Sequence, residues 1–153
     1  MPGFEPPDAA FETRVRASFA RQHVMRTIGA TLTRVRPGEV TIELPFRPDL
    51  TQQHGFVHAG VVTIIADSAC GYAAFSLMPP EASVLTVEYK VNLLSPARGD
   101  RLVAHARVTK PGRVLTVCTA DVAALSDGRE RPVATMLATL MAIRDRPDLP
   151  PGL

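Results

Sequence analysis

At 153 residues the chain has the length of one ordinary domain, enough to bury a sizeable core and too short for two. Hydrophobic residues make up 46% and charged residues 21%, which argues against a disordered chain. The 17 Lys and Arg are scattered among 15 Asp and Glu for a formal charge of +2, so no basic face for nucleic acid is expected.

Residues 1–7 and 145–153 are rich in proline and charge and read as irregular tails of a single domain spanning 1–153. Acids and prolines near the N-terminus replace the basic and apolar regions of a secretory signal. Cys70 and Cys118 have no metal-ligand spacing, so neither a disulfide framework nor a zinc site is expected, and a cytoplasmic location fits. From Asp8, a residue suited to capping, to about His23, the positions Phe11, Val15, Ala17 or Ser18, and Phe19 recur near helical spacing and predict a short amphipathic helix packed on the outside. Two strand-like runs follow at 28–35 and 39–46, joined at Arg36-Pro37-Gly38 as a hairpin, with Val40, Ile42, Leu44 and Phe46 facing inward.

A helix of about 59–78 comes next, stopped by Pro79 and Pro80, which lack the amide a helix needs. It is apolar nearly all round but carries Asp67 at its middle with Ser68, Gly71 and Tyr72, so it reads as buried in protein, with no membrane span. Strands are then expected at 83–94, 101–110, 113–124 and 132–143, separated by the turn-forming runs Pro96-Ala97-Arg98-Gly99, Lys110-Pro111-Gly112-Arg113 and Ser126-Asp127-Gly128. In the first of them Leu85, Val87, Tyr89, Val91 and Leu93 alternate against Thr86, Glu88, Lys90 and Asn92. The order predicts an α+β fold in which six antiparallel strands curl around one long central helix, since a flat sheet would leave the far side of that helix wet.

Asp67 is the foremost candidate for chemistry. A carboxylate on a buried helix costs several kcal/mol unless paired or hydrogen-bonded, and Ile64, Ile65, Ala66 and Ala69 offer no cation. Its bland reading is a carboxylate bonded to a nearby amide or hydroxyl; its functional reading is a perturbed acid in an active site. The second candidate is the lead-in to the helix, Gln52-Gln53-His54-Gly55-Phe56-Val57-His58-Ala59-Gly60, whose free amides at the positive end of the dipole suit a carbonyl oxygen gathering charge, or a phosphate. A tight turn needing Gly55 and Gly60 for backbone reasons is the alternative. The eight residues from Ala59 to Asp67, at about 1.5 Å each, separate the two features by roughly 12 Å, so joint action requires a second subunit. His54 and His58 precede the helix and suit loop bonding better than a metal site with Asp67, and Ser68 lacks a nucleophile elbow.

The run Gln53 to Gly60, followed by Ala66-Asp67-Ser68-Ala69, resembles the hot-dog thioesterases of the phenylacetic-acid-degradation type, whose signature is roughly Asn-x-x-Gly-x-x-His-Gly-Gly with a catalytic Asp seven residues later. Thr86 to Ala97 is similar to that family's strand after the helix, and the element order matches over about residues 25–144. The resemblance implies hydrolysis of acyl-coenzyme A, with Asp67 as base or nucleophile, the Ala59 amide polarising the carbonyl from the other subunit, and Thr86 helping to place water. Gln52 stands at the family's Asn position, where Gln53 is the other candidate for that contact, and Ala59 replaces the first Gly of the pair. His58, Gly60, Gly55 and Ser68 are the expected substrate contacts. No cofactor is implied, and a homodimer is the minimal unit, with a dimer of dimers beyond it. Two rival readings are a hot-dog dehydratase or hydratase using His58 as an acid-base partner, and a non-catalytic acyl-CoA-binding module.

Overall fold

Strand alternation sets the inner face of the sheet. In β2 (Glu39–Pro45) the buried side chains are Val40, Ile42 and Leu44, and in β4 (Arg101–Lys110) they are Leu102, Ala104, Ala106 and Val108. β5 (Leu115–Ser126) buries Cys118, Ala120 and Val122, while β6 (Arg129–Ile143) buries Ala134, Met136, Ala138 and Leu140. The many alanines let a helix lie close to the strands, and α3 (Ala59–Phe75) packs against β2, β4, β5, β6 and β3 (Ser83–Leu93). The computed structural model describes residues 3–146 and 148, so the expected tails fall partly outside the described residues. All neighbouring strands are antiparallel, in the order β1-β2-β4-β5-β6-β3, with β1 (Thr31–Arg36) and β3 at the two edges. The chain reaches the far edge by passing through α3, which explains the helix's all-round apolar composition.

Several boundaries differ from the sequence reading. The first helix is two: α1 (Phe11–Arg21) ends where Gln22 takes an extended conformation, and α2 (His23–Ile28) occupies the start of the expected first strand. That second helix stops at Gly29, at φ +78°, where the amides of Gly29 and Ala30 both return to the Met25 carbonyl. Asp8 caps no helix directly; its carboxylate accepts the Ala10 amide and pairs with Arg14. Phe46 lies past the end of β2 and is exposed rather than inward.

At the other end of α3, the helix stops at Phe75 instead of running to 78. The Ser76 hydroxyl bonds the Ala73 carbonyl at 2.7 Å and accepts the Gly38 amide of the β1–β2 turn at 2.8 Å, and residues 77 and 78 tighten into bonds three residues back. Arg14 completes this end. Its guanidinium lies 4.3 Å from the Phe75 ring centroid and donates to the Met78 carbonyl at 2.7 Å, binding α1 to carbonyls that a helix end leaves orphaned. Arg14→Ala is expected to cost about 2 kcal/mol, a fall of roughly 5 °C in thermal midpoint by calorimetry.

β3 departs most from strict alternation. A bulge between Thr86 and Glu88 shifts the register against β6, so Thr86 pairs with Leu140 and Glu88 with Thr139. The extra residue, Val87, puts Thr86 and Tyr89 on the same side of the sheet. Tyr89, Val91 and Leu93 stand opposite Ala138, Met136 and Ala134, all buried against the helix, as is Leu140 opposite Thr86.

Candidate active site

Thr86 faces α3 together with Val84, and the bulge after it keeps Tyr89 on that same face. The Thr86 hydroxyl donates to Asp67 Oδ1 at 2.8 Å, the one side-chain hydrogen bond to that carboxylate among the described residues. Burial pushes the Asp67 carboxyl above its ordinary value, and the Thr86 bond pulls it partly back. A half-buried carboxylate with one hydroxyl partner and, among the described residues, no ion pair is poised to take up a proton.

Asp67 looks onto two spaces. A groove of about 320 Å³ runs along α3 from Gly60 past Thr63 and Ile64 to Asp67, beneath Tyr89 and Val91. On the other side lies a cavity of about 290 Å³ between α1 and β3, bounded by Ser68, Gly71, Tyr72, Val84 and Thr86 with Ser18, Arg21 and Gln22 of the α1 end. Thr63 and Gly71, four residues to either side of Asp67 on α3, therefore fall one in each. Ser68 is buried and reaches the Gln22 side-chain oxygen at 3.4 Å.

The lead-in loop forms a tight structure of its own. Gln52 N–H donates to the Phe56 carbonyl at 2.8 Å and Gly55 N–H to the Gln52 carbonyl at 3.0 Å, with Gly55 at φ +82°, a conformation that favours glycine. The Gln52 side-chain oxygen accepts the His54 amide, while Gln53 is exposed with no hydrogen bond among the described residues. His58 is the cap of α3. Its Nδ1 accepts the Gly60 amide at 2.8 Å, and a Cβ at position 60 would meet that nitrogen at 3.0 Å. With Gly60 engaged, and Val61 and Val62 bonded to the His58 carbonyl, Ala59 N–H is left at the helix start without a partner among the described residues. Ala59 faces a separate apolar recess of about 470 Å³ that it shares with Gln52, Phe56, Val62 and Leu93.

The candidates thus divide into two groups. Asp67, Thr86 and Ser68 lie together at mid-helix; Ala59, Gln52, Gly55 and His58 lie together at the helix start. None of these three spaces, among the described residues, holds both Ala59 and Asp67. Sequence reasoning missed Gln22 and Arg21 as neighbours of the Asp67 cavity. The available signal was the α1 stripe Phe11, Val15, Ser18, Gln22, which turns from apolar to polar along one helical face.

Comparison with known proteins agrees with this architecture. The profile of the Thioesterase superfamily matches residues 54–130. A crystal structure of a thioesterase family protein from Silicibacter pomeroyi superposes with a TM-score of 0.86 at 58% identity, covering 88% of this chain and 98% of that one. A Halobacterium salinarum protein is 32% identical over 133 residues, 83% of this chain and 85% of the relative. Human acyl-coenzyme A thioesterase 13 is 25% identical over 119 residues, 75% of this chain and 83% of the relative. The Escherichia coli PaaI protein shares the fold at a TM-score of 0.78 and 19% identity, covering 87% of this chain and 93% of that one. The six-stranded sheet around one long helix is the hot-dog fold, and the chain belongs to the thioesterase superfamily as a thioester hydrolase.

Proposed function

We propose that the protein hydrolyses acyl-coenzyme A to free acid and coenzyme A, with Asp67 as general base or nucleophile and the Ala59 amide of a second subunit stabilising the oxyanion. The observation that carries this reading is the Asp67 carboxylate itself, partly desolvated, held at one oxygen by Thr86, and open to two spaces. As a base, Asp67 takes the proton of the attacking water; the tetrahedral oxyanion collapses, the carbon–sulfur bond breaks, and the proton passes to the leaving thiolate. As a nucleophile it attacks the thioester carbonyl, the carbon–sulfur bond breaks and coenzyme A leaves as a thiolate that takes a proton from water, and the resulting mixed anhydride is hydrolysed by a second water. Coenzyme A as the carrier is supported by relatives named for it, human acyl-coenzyme A thioesterase 13 and the 1,4-dihydroxy-2-naphthoyl-CoA hydrolase of Listeria monocytogenes.

Two features support a dimer. Ala59 and Asp67 lie roughly 12 Å apart on one helix. β3, at the sheet edge, runs for 11 residues and exposes Leu85, Val87, Tyr89 and Leu93, an unpaired edge suited to a second copy. Two-fold pairing there sets the helices antiparallel and brings each Ala59 towards the other Asp67. Leu115 and Leu137, exposed on the outer face of the sheet, supply a second apolar surface for a dimer of dimers. The whole of residues 1–153 acts as one domain in this reading. A cytoplasmic location suits its two buried free thiols, and among the described residues no helix is long and apolar enough to cross a membrane.

Release of free thiol from a panel of acyl-CoA substrates tests the reaction. The Asp67 assignment fails if Asp67→Asn hydrolyses the best substrate as fast as wild type. Thr86→Val, nearly isosteric, removes the hydrogen bond that favours the ionised carboxylate. Its kcat/KM against pH should therefore show the acid limb moved upward, with the larger deficit at low pH; an unmoved limb would separate Thr86 from Asp67 ionisation.

A further inference from the structure

The cavity on the α1 side of Asp67 has polar walls where an acyl-chain pocket would be apolar. Ser18 hydroxyl lies 3.2 Å from the Tyr72 hydroxyl, and Ser68 donates to the Gln22 side-chain oxygen at 3.4 Å, both at the α1–α3 contact where helix packing ordinarily buries aliphatic groups. Ser18, Ser68 and Tyr72 are all buried. The break between α1 and α2 at Gln22 turns its side chain inward onto this cluster instead of leaving it on a solvated helix face. Arg21 closes the outer side, paired with Asp148.

Size and charge narrow the occupant. At about 290 Å³ the cavity lies at the small end of the roughly 300–1,000 Å³ range of small-molecule sites. That suits a short acyl group better than the nucleotide of coenzyme A. Among the described residues two carboxylates, Asp67 and Asp148, face one guanidinium, Arg21, so phosphate or a distal carboxylate meets net negative charge. A neutral group that both donates and accepts hydrogen bonds matches the hydroxyls and the amide. We propose that Gln22, with Ser68 and Tyr72, determines specificity by receiving the far end of a short acyl group that ends in a neutral hydrogen-bonding function such as a hydroxyl. The inference rests on the reading of Asp67 as the reacting carboxylate.

The experiment compares kcat/KM for heptanoyl-CoA and 6-hydroxyhexanoyl-CoA, which differ by a terminal methyl against a hydroxyl, in wild type, Gln22→Leu and Ser68→Ala. Wild type should favour the hydroxylated acyl group about tenfold, and Gln22→Leu should bring the ratio to one or reverse it, with Ser68→Ala lowering it in the same direction. Because damage to the fold scales both substrates together, the ratio reports recognition. Wild-type preference for heptanoyl-CoA, or a ratio that neither substitution moves, overturns the proposal. So does a preference for adipoyl-CoA that Arg21→Gln abolishes, which would make the pocket an anion site. Asp67→Asn is run in parallel on both substrates: wild-type turnover there overturns the reading of Asp67, and loss of both with an intact wild-type ratio leaves the two conclusions separately supported.

Discussion

Mixing two inactive variants, Asp67→Asn and Ala59→Pro, is expected to restore about a quarter of wild-type activity when the chains are co-expressed or refolded together. Proline at position 59 deletes only the amide under test. Ala59 is the first residue of α3, where proline is well tolerated because its fixed φ suits a helix and the missing N–H has no helical partner. The preceding residue, His58, is at φ −59° and ψ 138°, the extended region that a following proline requires. Loss of one oxyanion donor should lower kcat by about 10²–10³-fold with the fold retained. In a mixed dimer one site then combines both defects, while the other takes its intact carboxylate from one chain and its intact amide from the other. Half of the dimers are mixed and each carries one working site of two. If each site were built within a single chain, mixing would restore nothing, so a flat titration of one variant into the other refutes the shared site.

The second large effect separates activity from stability at Asp67. Asp67→Asn should lower kcat by about 10²–10⁴-fold, the range of a positioned acid-base group, while folding as well as wild type or better. Asparagine keeps the oxygen that accepts the Thr86 hydroxyl but carries no charge to desolvate. The pH dependence follows from the direction of the shift. Burial raises the folded-state value of Asp67 above the unfolded 3.8, so between those two values the folded chain holds more protons. Wild-type stability therefore gains from this group only below the window and declines as pH rises through it. Thermal midpoints of Asp67→Asn relative to wild type should accordingly be more favourable at pH 7 than at pH 3.5. A variant destabilised at pH 7 would make Asp67 a structural residue and remove the main support for its catalytic role.

Much of the fold was legible because local chemistry reports it. The Asp127-Gly128 turn, with both residues at positive φ, has the geometry that joins two strands with matching twist, and β5 and β6 meet there. Alternation located β2, strand-like runs between turn signals located β4, β5 and β6, and the unbroken apolar run located α3. The errors fall where a distant contact overrides a local pattern. The α3 end was overestimated because Ser76 answers to Gly38 in another element. The first helix was drawn through Gln22 because helical spacing continues across it, although its side chain is turned to Ser68, 46 positions away.

The site divides the same way. From sequence alone, a lone carboxylate in an apolar helix marked Asp67, and the helix rise placed it too far from Ala59 for one chain to use both. Those conclusions need only the burial cost of charge and the pitch of a helix. The family resemblance placed Thr86 near Asp67, but only the tertiary structure decided that its hydroxyl bonds the carboxylate, since strict alternation puts Thr86 opposite Tyr89 and an inserted residue at Val87 puts them on one face. It likewise decided that the Ala59 amide, and not that of Gly60, is left free, because the His58 ring turns back to cap its own helix. A bulge and a cap are each a single hydrogen-bonding choice, made by the partner strand or the local loop, and neither leaves a period in the sequence.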